Sequence, residues 1–390
     1  MAASHHHPCP NVRFSVNFIV RTLAMFLIAA CAIPAGASDK KSPKAKAAAK
    51  SHAGAVRHRA QALASMPLYA TRSDAMAFAR ELAERRQLDA TWTQQVVGQA
   101  RYMPPIAQAV LPATGPSAKN WKLYRERFVE PKRIAAGVAF WQMHRATLER
   151  AQEQTGVPAE IIVGIIGIET LYGKNAGGYR VIDALCTLAF DFPTSHPRAA
   201  QRTAFFQGEL EAYLALAARN HMNPLGLRGS YAGAMGMPQF MPSSWEKYGV
   251  DFDGDGRVDL YNSPQDVIGS VANYFKAFQW QPGMPTHYAL QLDPHSADLA
   301  TLLLPDIKPT FSPFDMVAHG ARLDTAGMQH HGALSLLELQ NGAEAPLYLA
   351  GTDNFYAITR YNWSSYYALA VIELGRASAQ ALPTRSTVQK

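Results

Sequence analysis

The stretch "IIVGIIGIETLYGKNAGG" (residues 161–178) is apolar for eight residues, with Gly164 and Gly167 set among the isoleucines, and then places one carboxylate, Glu169. An apolar wall disfavours the charged form and lifts a carboxyl pKa above its usual ~4.3. A carboxyl that keeps its proton near neutral pH is a general acid, the group that protonates a leaving-group oxygen in glycoside cleavage. A purely structural Glu that bonds a neighbouring helix would look the same in this stretch. A second stretch, "GSYAGAMGMPQFMPSS" (residues 229–244), bears on that choice. Its glycines let backbone approach a ligand closely. Its uncharged amides and hydroxyls suit sugar hydroxyl and acetamido groups, and Tyr231 and Phe240 could stack on a pyranose face. The competing reading is a Gly/Met packing turn.

A third stretch, "DFDGDGRVDLYN" (residues 251–262), begins like an EF-hand loop. Asp251, Asp253 and Asp255 stand at positions 1, 3 and 5, Gly256 at 6, Arg257 at 7 and Asp259 at 9. Position 12 is Asn262 rather than the bidentate Glu, and Asp266 could supply the missing carboxylate if the loop is longer than usual. Asp266 could equally be an N3 acid in a helix start capped by Ser263. Three closely spaced aspartates repel one another without a cation. Hard oxygen donors without His or Cys point to Ca²⁺ rather than zinc. The candidate metal set is therefore Asp251, Asp253, Asp255, Arg257, Asp259 and Asp266, with a structural role.

These groups need a scaffold, and the periodicity is mainly helical. "SDAMAFARELAERRQL" predicts a helix with Ser73 as N-cap; "ATWTQQVVGQARY" predicts a second, stopped by Pro104-Pro105. The region from Trp121 to Gly156 reads as helix interrupted near Pro131, and Pro158 suits the first turn of the next helix. The Ile-rich run is apolar on every side and should be a central helix. "TAFFQGELEAYLALAARN", "SPQDVIGSVANYFKAF" with N-cap Ser263, and "YNWSSYYALAVIELGRA" read as further helices. "FSPFDMV", "LLELQ" and "APLYLAG" read as strands, the last two joined at Asn341-Gly342.

The chain has 390 residues, 48% of them hydrophobic, enough for one large or two to three modest domains. Arg13 and Arg21, the apolar run "TLAMFLIAA" (residues 22–30) and "AGA" (residues 35–37) form an export signal too short to span a bilayer. "IAAC" competes at the same place as a lipoprotein box, with Cys31 as the lipid-bearing residue. Either reading puts the mature protein outside the cytosol. The net charge of +7 is concentrated in a tether: residues 38–59 carry seven Lys/Arg and one Asp, which leaves 28 Lys/Arg against 29 Asp/Glu in residues 60–390. A near-neutral globular part gives no grounds for nucleic-acid binding. Cys186 is the one cysteine beyond the signal segment, so a mature chain has no internal disulfide, and its apolar surroundings read as core.

Taken together, "GIIGIETLYG", "GSYAGAMGMPQFMPSSW", "DFDGDG", "DVIGSVANYFKAFQW" and "NFYAITRYNWSSYYALAV" resemble the membrane-bound lytic murein transglycosylase B family over residues 65–376. The resemblance implies a mainly α fold: a lysozyme-like helical core with an N-terminal helical domain and a small β-containing subdomain. The expected organisation is a signal peptide over 1–37, a basic linker over 38–62, an N-terminal helical domain over 63–145 and a catalytic core over 146–310 containing the loop 251–266. A β-containing subdomain over 311–352, a helix over 353–376 that completes the core, and a tail over 377–390 follow. The implied reaction cleaves the β-1,4 bond between N-acetylmuramic acid and N-acetylglucosamine in peptidoglycan and leaves a 1,6-anhydromuramoyl end. Glu169 matches the family's single catalytic acid and base. A lone acid suits a substrate that supplies its own nucleophile; hydrolysis normally takes a second carboxylate at ~5–9 Å, and Asp183 and Asp191 fall in stretches that read as helix and helix end.

Tyr124, Ser230, Gln239 and Phe240 match residues lining the family's cleft or contacting sugar, and Asn362 and Tyr367 a polar pair near the acid. Arg202 stands where the family tends to carry adjacent arginines; "PTSHPRAAQR" departs from that pattern and puts peptide-stem recognition in doubt. The implied setting is the periplasm, with anchorage to the outer membrane if Cys31 is lipidated. Peptidoglycan strands are the partner, together with cell-wall synthesis enzymes as candidates. A hydrolytic muramidase and a non-catalytic peptidoglycan-binding scaffold remain as alternatives.

Overall fold

The computed structural model describes residues 65–111 and 119–383; the signal segment, Cys31 and the basic linker lie outside them. In chain order the helices are α1 (Ser73–Arg86), α2 (Ala90–Gly98), α3 (Pro104–Ala109), α4 (Trp121–Phe128), α5 (Pro131–Met143), α6 (Arg145–Thr155), α7 (Ala159–Thr170), α8 (Val181–Phe190), α9 (Ala199–Arg219), α10 (Pro242–Tyr248) and α11 (Pro264–Ala277). They continue as α12 (Leu299–Leu303), α13 (Pro313–Ala318), α14 (Thr325–Met328), α15 (Asp353–Thr359) and α16 (Ser365–Gln380). Strands β1 (Tyr179–Arg180) and β2 (Arg228–Gly229) form a two-stranded ribbon; β3 (His287–Leu292), β4 (Ala321–Leu323), β5 (Ser335–Asn341) and β6 (Glu344–Gly351) form an antiparallel sheet in the order β4-β3-β6-β5. Among the described residues no helix is long and apolar enough to cross a membrane.

The isoleucine run forms α7, buried on every side as its composition demands. Its closest partner is α16. A Cβ on Gly164 would lie 2.3 Å from the Val371 carbonyl oxygen, and one on Gly375 would lie 2.0 Å from that of Glu160. The two backbones therefore touch at these glycines, and this close packing seats α16 beside Glu169. Around the pair, aromatic and aliphatic side chains from α2 to α11 close one continuous core.

The β-sheet alternates as a two-faced sheet should. Leu337, Leu339 and Leu349 face the main core, while Leu336, Tyr348 and Ala350 join Leu302, Met316 and Leu334 in a second apolar cluster. The Asn341-Gly342 turn joins β5 to β6, with Gly342 at φ +67°. The turn is tied to α4 through Asn341 Oδ1, which accepts from the Lys122 N–H at 3.0 Å.

Several expectations shift. "FSPFDMV" is the helix α13, because Ser312 and Asp315 form a capping box around Pro313 and this start signal outweighs the alternation. The expected boundary at residue 311 cuts the sheet, since β3 lies before it. Ser73 is the first residue of α1 rather than its cap, and Arg72 precedes it with its guanidinium on Asp74 and Asp191. Pro104-Pro105 open α3, and Pro158 is the N-cap of α7. The last helix runs to Gln380, beyond residue 376, because Ala370, Leu374 and Ser378 stay buried along one face.

Candidate active site

Glu169 is the penultimate residue of α7 and only 6% exposed. Burial lifts its pKa to about 7, against a smaller opposing effect from Tyr367, whose hydroxyl donates to Oε1 at 2.6 Å. Tyr367 lies in the first turn of α16, which Ser364 caps. Burial and the carboxylate beside it push the Tyr367 hydroxyl well above the usual phenol range, so it remains a donor. Tyr124 on α4 feels the same charge, and its ring packs against Phe128, Tyr366 and Trp121. Tyr361, absent from the sequence-derived set, also has its pKa raised by burial and by Glu169, and it donates to the Pro238 carbonyl at 2.5 Å. Its signal was its place in "RYNWSSYY", one residue before Asn362.

The chain reverses directly after the acid. Leu171, Tyr172 and Gly173 all take left-handed φ, at +50°, +56° and +85°. Each non-glycine in that region costs on the order of 1 kcal/mol or more, so the surroundings must hold it. Thr170 does so by donating from Oγ1 to the Met237 carbonyl at 2.8 Å and accepting from the Gly173 N–H at 3.0 Å. The Gly-rich loop is thereby bonded to the end of the helix that carries the acid.

Within that loop Ser230 Oγ accepts from the N–H groups of Ala232 and Ala234, holding the turn's shape. Gln239, at φ +51°, donates from Nε2 to the carbonyls of Ala176 and Gly236. These bonds fix the amide's orientation beside the Glu169 turn. Phe240 corrects the sequence reading: it is 2% exposed and packs between Tyr274 and Tyr361, so it cannot present a face to a sugar. Arg202 is also buried on α9, where burial and Arg198 lower its pKa, and it is not a surface contact for substrate. Asn362 is not a helix cap; its Oδ1 is buried with no hydrogen-bond partner among the described residues.

The other acidic candidates from the sequence, Asp183 and Asp191, are already engaged. Asp183 accepts from the Arg101 N–H and pairs with Arg180, and Asp191 accepts from Tyr69 and Arg72. Both carboxylates serve to tie the N-terminal helices to α8.

In the acidic loop, ligand oxygens of Asp251, Asp253 and Asp255 all lie within 4.8 Å of one another. This is a hard, oxygen-only donor set of the kind that fits Ca²⁺. Asp266 and Asp259 stand outside that group. Asp266 accepts from the N–H groups of Phe252 and Asp259 at 2.7 Å each, and Asp259 from those of Tyr261 and Asn262 at 2.9 Å each, so both brace the loop's backbone. Arg257 cannot ligate through its side chain, which pairs with Asp255 at 3.2 Å; only its backbone carbonyl could serve a cation.

Residues 70–376 match the family described as the transglycosylase SLT domain. The chain is 38% identical over 322 residues to the membrane-bound lytic murein transglycosylase B of Escherichia coli K12, covering 80% of this chain and 84% of that protein. It is similar to the E. coli lytic transglycosylase SLT35 in complex with calcium, with TM-score 0.71 and 38% identity over 81% of this chain and 96% of that one. The soluble lytic transglycosylase SltB1 of Pseudomonas aeruginosa gives TM-score 0.71 and 39% identity over 79% of this chain and 99% of that one.

Proposed function

This chain belongs to the transglycosylase SLT family and is a peptidoglycan lytic transglycosylase, and from that premise we propose that Glu169 is its single general acid and base. The carrying observation is a buried carboxyl with its pKa at about 7 and one hydroxyl bonded to it. Near neutral pH a good part of Glu169 is protonated. It gives that proton to the glycosidic oxygen between N-acetylmuramic acid and N-acetylglucosamine as the bond to the anomeric carbon breaks. The resulting carboxylate takes the proton of the muramoyl 6-hydroxyl as that oxygen bonds to the same carbon. The glycan ends in a 1,6-anhydro ring, no water is consumed, and Glu169 returns to its starting state. Tyr367 holds the carboxyl in place through both transfers. Gln239, Ser230 and Tyr124 supply the cleft wall.

The hydrolytic alternative needs a second carboxylate for water, and Asp183 and Asp191 are committed to Arg180, Arg72 and Tyr69. Asp251, Asp253 and Asp255 hold a structural Ca²⁺, a reading supported by their oxygen-only donor set and by the calcium complex of the similar SLT35. The export signal read in residues 13–37 supports a periplasmic setting, and lipidation of Cys31 would anchor the enzyme to the outer membrane. Digestion of purified peptidoglycan by wild type and Glu169→Gln, read by mass spectrometry, tests the reaction. Products lighter by one water than hydrolytic muropeptides, lost in the variant, are expected; hydrated reducing ends would overturn it.

A further inference from the structure

A cavity of about 450 Å³ lies between the turn that follows α7 and the acidic loop. Its size is that of a small-ligand site; Glu169 is not among its lining residues, but Ala176, whose carbonyl accepts from Gln239, is, so the cavity adjoins the active site. The hydrogen-bonding capacity of its wall is donor-rich. Asp259, the one carboxylate in the lining, already accepts from the Tyr261 and Asn262 N–H groups and from the Asn262 amide. Arg228 donates one guanidinium nitrogen to the Gly178 carbonyl at 2.8 Å, and Tyr261 pins its backbone by donating to its carbonyl at 2.8 Å. Asn223 has its oxygen on the Leu225 N–H, so its NH₂ is the end left for a ligand. Met222 and Val258 add apolar surface. Guanidinium and amide donors over an apolar floor suit an acceptor-rich chain with aliphatic stems, and carboxylates bind guanidinium groups best.

Arg257 adds a condition. It lines this cavity and also the smaller one of about 220 Å³ over the three aspartates. Its Nε sits 3.2 Å from Asp255 Oδ2. A cation on the aspartate cluster would compete with Arg257 for that carboxylate and leave its guanidinium for the larger cavity, which it already lines.

We propose that this cavity binds the carboxylates of a peptidoglycan stem peptide, and that cation loading of the acidic loop strengthens the binding by releasing Arg257 from Asp255. The proposal rests on the peptidoglycan reading above. The coupling is reciprocal: bound peptide must raise the affinity for the cation by the same factor.

Calorimetric titration of the full wild-type chain with a free stem tetrapeptide tests this, since that peptide has no glycosidic bond to be cleaved. The expected result is a Kd about 5-fold or more tighter in calcium than in EGTA, with calcium affinity raised equally by saturating peptide. Arg257→Gln should remove the calcium dependence, and Arg228→Gln should weaken the peptide in both conditions. Both side chains are exposed, so neither change threatens the fold. Equal peptide affinity in calcium and EGTA, or an Arg228→Gln variant that binds like wild type, overturns the proposal. Digestion of peptide-free glycan strands separates the two readings. Anhydro ends without peptide binding would sink the pocket alone, and peptide binding without cleavage would sink the enzymatic reading alone.

Discussion

Two groups of carboxylates in this protein meet opposite fates. Glu169 is one acid among isoleucines and tyrosines, and burial raises its pKa to about 7. Asp251, Asp253 and Asp255 are three acids within 4.8 Å of one another on an open loop. Asp253 has its pKa lowered, chiefly by the Ser263 hydroxyl that donates to it at 2.6 Å. Crowding of like charges alone would protonate the loop and leave the lone Glu ionised. Solvent reverses that order. Water and turn donors stabilise the exposed charges, while among the described residues the apolar wall gives Glu169 only the Tyr367 hydroxyl. The first environment makes a proton donor; the second makes an anionic cage for a hard cation.

The sharpest break of this contrast is Glu169→Gln. Loss of the acid should lower kcat/KM by roughly 10²–10⁴-fold, as measured by release of anhydro-ended fragments. A loss under about 10-fold would mean that another group supplies the proton.

The same variant should be the more stable protein at alkaline pH. The folded pKa of Glu169 is raised from 4.5 to about 7. Its stabilising contribution is therefore complete below the unfolded value and is lost as pH rises through about 7. Above pH 8, Glu169→Gln should gain roughly 3 kcal/mol over wild type, and near pH 4 almost nothing. Thermal melting across that range checks it, and a pH-independent difference would show that the acid is not desolvated.

The loop should behave in the opposite sense. Calcium at about 100 times its Kd should stabilise the protein by roughly 2.7 kcal/mol, and Asp253→Asn or Asp255→Asn should shrink the gain. Without calcium, Asp253→Asn should lower the melting temperature slightly near neutral pH, because the folded loop holds that carboxylate charged as the acceptor of the Ser263 hydroxyl. No calcium effect on melting would remove the cage from the account.

The smallest effect is expected from Tyr367→Phe. Its hydroxyl lowers the Glu169 pKa, so removing it should move that pKa up. The acid must be protonated to act, so the alkaline limb of the pH–rate profile should shift to higher pH. Stability should fall by about 1 kcal/mol from the lost hydrogen bond. An unmoved limb would mean that the bond does not reach the reacting state.

Local pattern made much of this protein legible. All-round hydrophobicity marked α7 as central, the Ser263 capping signal marked the start of α11, and Asn341-Gly342 marked the hairpin. The apolar run before Glu169 signalled burial and hence a raised pKa, although the groups that the structure places beside the acid, Tyr367, Tyr361 and Tyr124, come from other segments. Contacts between distant segments were not legible in this way. Tyr367 reaches Glu169 across 198 residues, and only the backbone contacts of Gly164 and Gly375 bring the two helices close enough. Phe240 reads as a sugar contact from its place in the Gly-rich loop, and Arg202 as a substrate contact from the family pattern. Their burial is decided by Tyr274 and Tyr361 in one case and by the packing of α9 in the other. Sequence alone therefore determined which side chains could carry a proton or a cation, since that depends on residue type and near neighbours. The tertiary structure decided which of them face one another, since burial and hydrogen-bond geometry are set by segments that meet only in the folded chain.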